Sequence, residues 1–540
     1  MVQGTTTRLN PLATTGLALS AGGMHALSLA WPTSGQALGA LQVLSLAVLA
    51  HLVSGTTRPR VAAWMGWCFA TAHGVTATWW LYISMHQYGG LDAPLAALAV
   101  WALQAALGLY LAMALALAAA LCGPNPSVLA RCSSFVAAWL LAELARAVWF
   151  TGFPWGSAGY AHVDSALAVL APWVGVYGMG AVAALLAMAV AMSWRVRAPL
   201  MRGGAWVMSL ALLLALNQPW RAADTSMPQA TVGLTLLQGN VPQDQKYDAQ
   251  RLSAPEWYMA QIAQAGPGLI LAPEIALTLP TDLWPAAWWQ ALRPARDDQA
   301  VMVGAPWRSP GRTEYSNSVL AWAGMGLDAT SGASPLQTEA PVTQRAVEYR
   351  YDKHHLVPFG EFIPGGFAWF VNAMRIPLGE FQRGASPQDT WRWGGLHWSP
   401  NICYEDLFGE ELARAWLSDE APNVLVNFSN IAWFGDTVAQ AQHLNISRLR
   451  TLELQRPMVR VTNTGATAVI DHRGVVQGQA PVWQRTVLQT RVQGRSGPPT
   501  GYAHWASQWG LWPLWAAGLG LLALAWACRA RAQNQALRRG

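Results

Sequence analysis

The chain has 540 residues, more than one ordinary domain, and is 53% hydrophobic with 11% charged residues, a balance too apolar for an ordinary soluble protein. Its formal charge of +6 comes largely from arginines in short loops and tails. No basic stripe is interleaved with aromatics, so the charge reads as membrane topology and not as a nucleic-acid surface.

Apolar stretches of about 20 residues, the length that crosses a bilayer core, occur near 11–31, 35–54, 61–84, 93–122, 133–152, 165–193, 204–219 and 510–528. About eight spans are therefore expected. Arg8 precedes the first without a small-residue cleavage site, which predicts an uncleaved first helix. Arg58 and Arg60, Arg131, then Arg195, Arg197 and Arg202, and finally Arg529, Arg531, Arg538 and Arg539 share one side with Arg8. The intervening loops, Trp31 to Gln36, Met85 to Ala93 and Thr151 to Asp164, hold no Lys or Arg. Excess positive charge stays cytoplasmic, so both termini are expected inside and the long polar segment outside, in the periplasm of a diderm bacterium.

Two features of these spans call for a partner or a function. Glu143 and Arg146 share a helix face within the fifth, where an ion pair either serves chemistry or fastens helices. Gly152-Phe153-Pro154-Trp155-Gly156 and Trp79-Trp80-Leu81-Tyr82 read as interfacial aromatic belts.

Composition shifts near residue 225, predicting a helical membrane domain over 1–224, an exterior domain over 225–491, and a linker, last span and basic tail over 492–540. In the exterior part, apolar β-like runs at Ala230 to Asn240, Gly268 to Glu274, Ala300 to Ala305, Ser318 to Ala323, Asn423 to Asn430 and Pro457 to Thr462 alternate with helical stretches at Pro242 to Ala265 and Gln442 to Gln455. That alternation predicts a layered α/β domain whose strand ends carry polar groups.

Five cysteines are present, Cys68, Cys122, Cys132, Cys403 and Cys528, and Cys403 stands alone in the polar region. No CxxC or Cys/His spacing suggests zinc, and adjacent His354 and His355 on a strand would face opposite ways. Cys403, in Pro400-Asn401-Ile402-Cys403-Tyr404-Glu405-Asp406, is either a buried structural thiol or a nucleophile. Glu274 at a strand end has the chemistry of a general base, and Lys353 that of an oxyanion stabiliser which also favours thiolate.

Pro273-Glu274, Tyr351-Asp352-Lys353-His354-His355-Leu356-Val357-Pro358-Phe359-Gly360-Glu361 and Ile402-Cys403-Tyr404-Glu405 resemble the Glu-Lys-Cys signature of the nitrilase superfamily. Such a domain between seven apolar spans and an eighth is similar to the bacterial apolipoprotein N-acyltransferases. Leu237-Gln238-Gly239-Asn240, Asn430-Ile431-Ala432-Trp433-Phe434-Gly435-Asp436, Arg450 to Pro457 and Gly152-Phe153-Pro154-Trp155 match as well, so the resemblance covers essentially the whole chain.

The resemblance implies an exterior αββα sandwich on a multi-pass helical bundle. It implies Glu274 as general base, Lys353 as oxyanion stabiliser and Cys403 as nucleophile, with Glu361, Tyr404 and Glu405 supporting them. Trp433, Phe434 and Phe362 would meet lipid, and Phe362, Phe367, Trp369 and Phe370 would form an apolar arm or part of an ordinary core. The implied partners are a phospholipid acyl donor, a diacylated apolipoprotein acceptor and the bilayer, with no metal or organic cofactor. Lys246-Tyr247 stands where the family tends to have Lys-Trp, which removes a tryptophan-specific role there. A membrane-tethered carbon-nitrogen hydrolase and a catalytically idle lipid-binding module remain the alternatives.

Overall fold

The computed structural model describes residues 10–123, 126–196, 199–243, 252–294, 296–309, 311–324, 347–367, 381–418 and 420–537. The expectations on Lys246-Tyr247 and on Trp369 and Phe370 lie outside these residues. The chain forms two compact units, one of Met1–Trp79, Ala97–Ala222 and Leu511–Gly540, the other of Trp80–Ala96 and Ala223–Gly510.

The first unit is helical. Ala93–Cys122, Val128–Thr151, Ala166–Ser193 and Trp512–Arg531 are long and apolar enough to cross a membrane, and Gly39–Ser54 and Met201–Leu216 are shorter apolar helices. Helices Pro11–Leu27 and Pro59–Thr78 occupy two further expected spans. Leu98, Trp101, Leu109 and Met113 are exposed along Ala93–Cys122, an apolar surface suited to lipid contact. The third expected span, 61–84, ends earlier: its helix stops at Thr78, and Trp80 belongs to the other unit.

Within the helical unit, the Glu143–Arg146 ion pair fastens the turn that follows its helix. Glu143 Oε1 lies 3.7 Å from the Arg146 guanidinium and accepts the Ala158 N–H at 2.8 Å. The Arg146 carbonyl accepts the Phe153 N–H at 2.7 Å, and the His73 ring meets the Gly156 carbonyl at 3.0 Å. The Phe153-Pro154-Trp155-Gly156 turn is thus tied to two helices, and Trp155 is buried, not spread at an interface. Gly180 admits the carboxylate, since a Cβ there would lie 2.5 Å from Glu143 Oε2. Gly180→Ala is expected to destabilise this unit by about 1–3 kcal/mol, read as a lower unfolding temperature in detergent. An unchanged temperature would mean that the carboxylate swings aside freely.

The second unit contains two six-stranded sheets. The first has the order β12-β1-β2-β3-β4-β5, with β1 Met227–Gln238, β2 Gly268–Ala272, β3 Gln299–Trp307, β4 Ser316–Ala323, β5 Tyr349–Asp352 and β12 Thr486–Ser496. The second has the order β11-β10-β9-β8-β7-β6, with β6 Trp391–Trp393, β7 Leu396–Ile402, β8 Val424–Ser429, β9 Met458–Thr462, β10 Ala468–Ile470 and β11 Val476–Gln479. Strands β1, β2 and β3 are mutually parallel, as are β7, β8 and β9.

Alternation explains the layers. Leu269 and Leu271 of β2 join Val424, Val426, Val459 and Val461 of the opposite sheet in one core, while Ile270 and Ala272 turn outward to a second core. Tyr258 and Ile262 of helix Ser253–Gln264 and Trp289 of helix Ala286–Ala291 cover that second core. Strands apolar on both faces are the signature of parallel strands between two covering layers. Each fully buried aliphatic side chain contributes roughly 1.5–3 kcal/mol, so this sandwich is a firm platform for the loops at its strand ends.

Candidate active site

Four strand ends bring polar groups together. Glu274 follows β2, Lys353 follows β5, Cys403 follows β7 and Asn430 follows β8. Carboxyl ends of parallel strands are where α/β folds build sites, because the chain turns there while the sheet holds the residues before it.

Lys353 is 1% exposed. Its Nζ lies 2.9 Å from Glu361 Oε1 and 3.4 Å from Glu274 Oε1, and the Asn317 amide donates to the same two oxygens at 2.9 and 2.8 Å. The outer oxygens are held too: Glu274 Oε2 accepts the Asn430 N–H and Glu361 Oε2 the Val357 N–H, both at 2.8 Å. Burial opposes the charge on Lys353, but Glu361 first and Glu274 next hold its ammonium above the ordinary lysine range.

β3 makes room for Glu274. A Cβ on Gly304 would lie 2.4 Å from the Pro273 carbonyl oxygen and 2.7 Å from the Glu274 Cα.

Cys403 is half-buried and takes a left-handed backbone conformation, φ 53°, at the start of the turn Cys403–Leu407. A non-glycine residue in that region is held there by its surroundings. Burial, then the charge of Glu274, pushes the thiol up to about 12, while Lys353 pulls it down. The thiol therefore rests protonated at neutral pH, and a thiol so placed would need a base to act as a nucleophile.

Glu405 ties the cysteine turn to the lysine segment. Its carboxylate accepts N–H groups of Ile402 at 2.6 Å, His354 at 2.6 Å and His355 at 3.1 Å, and the Tyr351 hydroxyl at 2.9 Å. Burial raises this carboxyl to about 7 against the pull of the backbone donors. Tyr404 is buried edge-on to Phe408, 5.3 Å between ring centroids. The two histidines are not on a strand, since β5 ends at Asp352. His354 meets the Gly384 carbonyl at 2.8 Å, while His355 stacks on Phe408 and reaches Glu411 at 3.0 Å.

Trp433 and Phe434 are half-buried on the short turn Ala432–Phe434. Phe434 packs on Trp80 with centroids 4.1 Å apart, and Trp433 meets Tyr88 at 5.5 Å. Trp80 is 1% exposed and donates its indole N–H to Gln442 Oε1 at 3.2 Å. Phe362 is half-buried and accepts the Phe359 N–H at 2.9 Å; Phe359 and Ile363 pack with Tyr82, Met85 and Leu91. Phe367, expected in the apolar arm, is exposed.

Sequence reasoning missed Asn317, which bridges both carboxylates, and Trp80, which was read as an interfacial residue. Asn317 had no clear signal, standing between Ser316 and Ser318 at the polar start of its strand. Trp80 had none, because a belt tryptophan and a buried one look alike in sequence.

Two family models match in order. One, described as the apolipoprotein N-acyltransferase N-terminal domain, matches residues 22–189, and one described as carbon-nitrogen hydrolase matches residues 234–498. A relative called apolipoprotein N-acyltransferase from Verminephrobacter eiseniae is 48% identical over 523 residues, covering 92% of each chain. Another of that description from Bordetella bronchiseptica is 41% identical over 547 residues, covering 96% of this chain and 97% of the other. Among solved structures, a carbon-nitrogen hydrolase superfamily protein of Xanthomonas campestris aligns with TM-score 0.35 at 16% identity, covering 52% of this chain and 96% of that one. Matches of 48% and 41% over nearly the full length leave no doubt of kinship: the chain belongs to the apolipoprotein N-acyltransferases, acyltransferases of the carbon-nitrogen hydrolase superfamily.

Proposed function

We propose that this protein moves an acyl chain from a membrane phospholipid, through a thioester on Cys403, to the α-amino group of the S-diacylglyceryl cysteine that opens an apolipoprotein. The observation that carries the reading is the buried group of Glu274, Lys353 and Glu361, whose charges all act on the Cys403 thiol. Glu274 takes the thiol proton as sulfur attacks the ester carbonyl, and Lys353 compensates the charge that develops on oxygen. Collapse breaks the ester C–O bond, and Glu274 returns the proton to the departing lysophospholipid. The acceptor amine then attacks the thioester and loses a proton to Glu274. The Cys403 thiolate leaves and recovers that proton, so the cycle closes as a ping-pong exchange.

Glu361 holds Lys353 and Glu405 holds the cysteine turn, with Tyr404 packed beside it. Phe362, Trp433 and Phe434 offer apolar surface to the lipid chains. In this reading residues 1–224 form the membrane bundle with about seven spans and 225–491 the periplasmic domain, joined by the Trp80–Ala96 segment. Residues 492–540 carry the last of about eight spans and a cytoplasmic tail. The protein sits in the inner membrane with both termini in the cytoplasm.

Intact-mass analysis of the protein in phospholipid micelles without acceptor tests this. A hydroxylamine-labile gain of one fatty acyl chain is expected on the wild type and not on Cys403→Ser. No adduct on a folded wild type with an accessible thiol would overturn the thioester and favour the hydrolase or the idle module.

A further inference from the structure

The cysteine turn rests on a buried polar layer that the mechanism above does not use. Asn401 of β7, Asn427 of β8 and Arg460 of β9 stand in one register row across the sheet. Their neighbours Ile402, Phe428, Val459 and Val461 point into the sandwich core, so the row projects from the opposite face. Helix Ala439–Leu454 covers that side with His443 and Ser447, both fully buried.

Arg460 is the hub of this layer and has no exposed surface. Its guanidinium lies 3.3 Å from Asp406 Oδ2, bonds the Ser447 hydroxyl, and reaches His443 Nδ1 and the Ala466 carbonyl at 3.3 Å each. Asp406, equally buried, also accepts the Ser447 hydroxyl. Asp406 lies in the same turn as Cys403. From the other side, the Asn427 amide bonds Asn401 Oδ1 at 2.6 Å and approaches the Cys403 carbonyl at 3.5 Å. The left-handed conformation at Cys403 is thus gripped from below by an ion pair and an amide.

Burying a full charge is unfavourable unless it is paired, and an apolar pair would have filled the same space between helix and sheet. A cation fixed beneath the nucleophile has a use that such filling lacks. It holds the turn in the conformation that presents the thiol, and a positive charge near a thiol favours its thiolate form.

We propose that Arg460, anchored by Asp406 and Ser447, is a positioning residue for Cys403, fixing its turn and keeping a positive charge behind the sulfur. This rests on Cys403 being the acyl-accepting nucleophile. Arg460 reaches the cysteine turn through Asp406, which lies three residues beyond Cys403 in that turn.

The test uses the full-length protein in phospholipid micelles. The rate of alkylation of Cys403 by iodoacetamide, read on its own peptide, is followed against pH for the wild type, Arg460→Met, Arg460→Lys and Ser447→Ala. Acyl-adduct formation and KM for the donor are measured beside it. Arg460→Met is expected to slow alkylation about tenfold at neutral pH, the effect of a one-unit rise in thiol pKa, and to lower kcat without changing KM. Arg460→Lys, which keeps the charge but not the planar fork, is expected to restore the pH midpoint. Alkylation of Arg460→Met with the wild-type rate and midpoint would overturn the proposal and leave a packing role. Should that variant fail to fold, Ser447→Ala decides. Slower alkylation at an unchanged unfolding temperature supports the proposal, and unaltered alkylation overturns it. A wild type that forms no acyl adduct defeats the nucleophile reading itself, whereas a normal adduct in every variant defeats only the role of Arg460.

Discussion

Lys353→Met is expected to abolish detectable acyl-enzyme formation while leaving a thiol that still alkylates slowly. The ammonium is the one cation within hydrogen-bonding reach of both Glu274 and Glu361 among the described residues. Removing an oxyanion donor lowers turnover by about 10²–10³. A second loss follows from the carboxylates. Glu274 and Glu361 share the Asn317 amide, and without Lys353 two buried negative charges would face each other across it. One of them takes up a proton instead. If that one is Glu274, the proposed base is lost along with the proposed oxyanion donor. Stability falls as well, by roughly 3–5 kcal/mol where a buried pair loses one partner, less whatever protonation recovers. Single-turnover measurement of acyl transfer to Cys403, beside a thermal melt, separates the two effects. A variant that acylates within tenfold of the wild type would remove Lys353 from the chemistry.

Glu405→Gln is expected to lower kcat by about 10²-fold with little change in KM, because the buried residue ties both halves of the site together. The carboxylate satisfies four donors, and a glutamine must turn its NH2 towards some of them. Each unmatched buried donor costs about 1–3 kcal/mol, and displacement of the cysteine turn by about 1 Å accounts for the rate. The pH dependence has a definite sign. Burial raises the folded carboxyl from 4.5 to about 7, so the native state retains a proton that the unfolded chain releases. The contribution of Glu405 to stability is fully present below about 4.5 and is lost as pH rises to about 7, by roughly 3 kcal/mol in total. Glutamine has no such slope. The gap in unfolding free energy between wild type and variant should therefore narrow as pH rises through this window, and a gap that widens would contradict the assignment.

The α/β layering was legible because strands covered on both faces read as short apolar runs, and β2, β3, β4, β8 and β9 all lie where such runs were expected. The ends of those runs announced Glu274 and Asn430 for the same reason. Asn317 was not legible as a site residue, since its role depends on strand β4 lying beside β5 and on the turn that returns Glu361 to the same place. Arg460 read as one more residue of an apolar strand, and only register across β7, β8 and β9 reveals that it shares a row with Asn401, two residues before Cys403. The membrane segments showed their existence but not their ends. Hydropathy continues past Thr78 through Trp79 and Trp80, while packing assigns Trp80 to the other unit.

That assignment bears on how the protein is made. Trp80–Ala96 is synthesised long before Ala223–Gly510, the part with which it forms one compact unit. Trp80 and Tyr82 must therefore wait on the ribosome's schedule, without Phe434 or Phe359, while the helices that follow are inserted. The unit cannot complete its fold in the order of translation. Severing the chain near residue 223 would remove the partners of its aromatic turns and yield a catalytic fragment that sticks to itself.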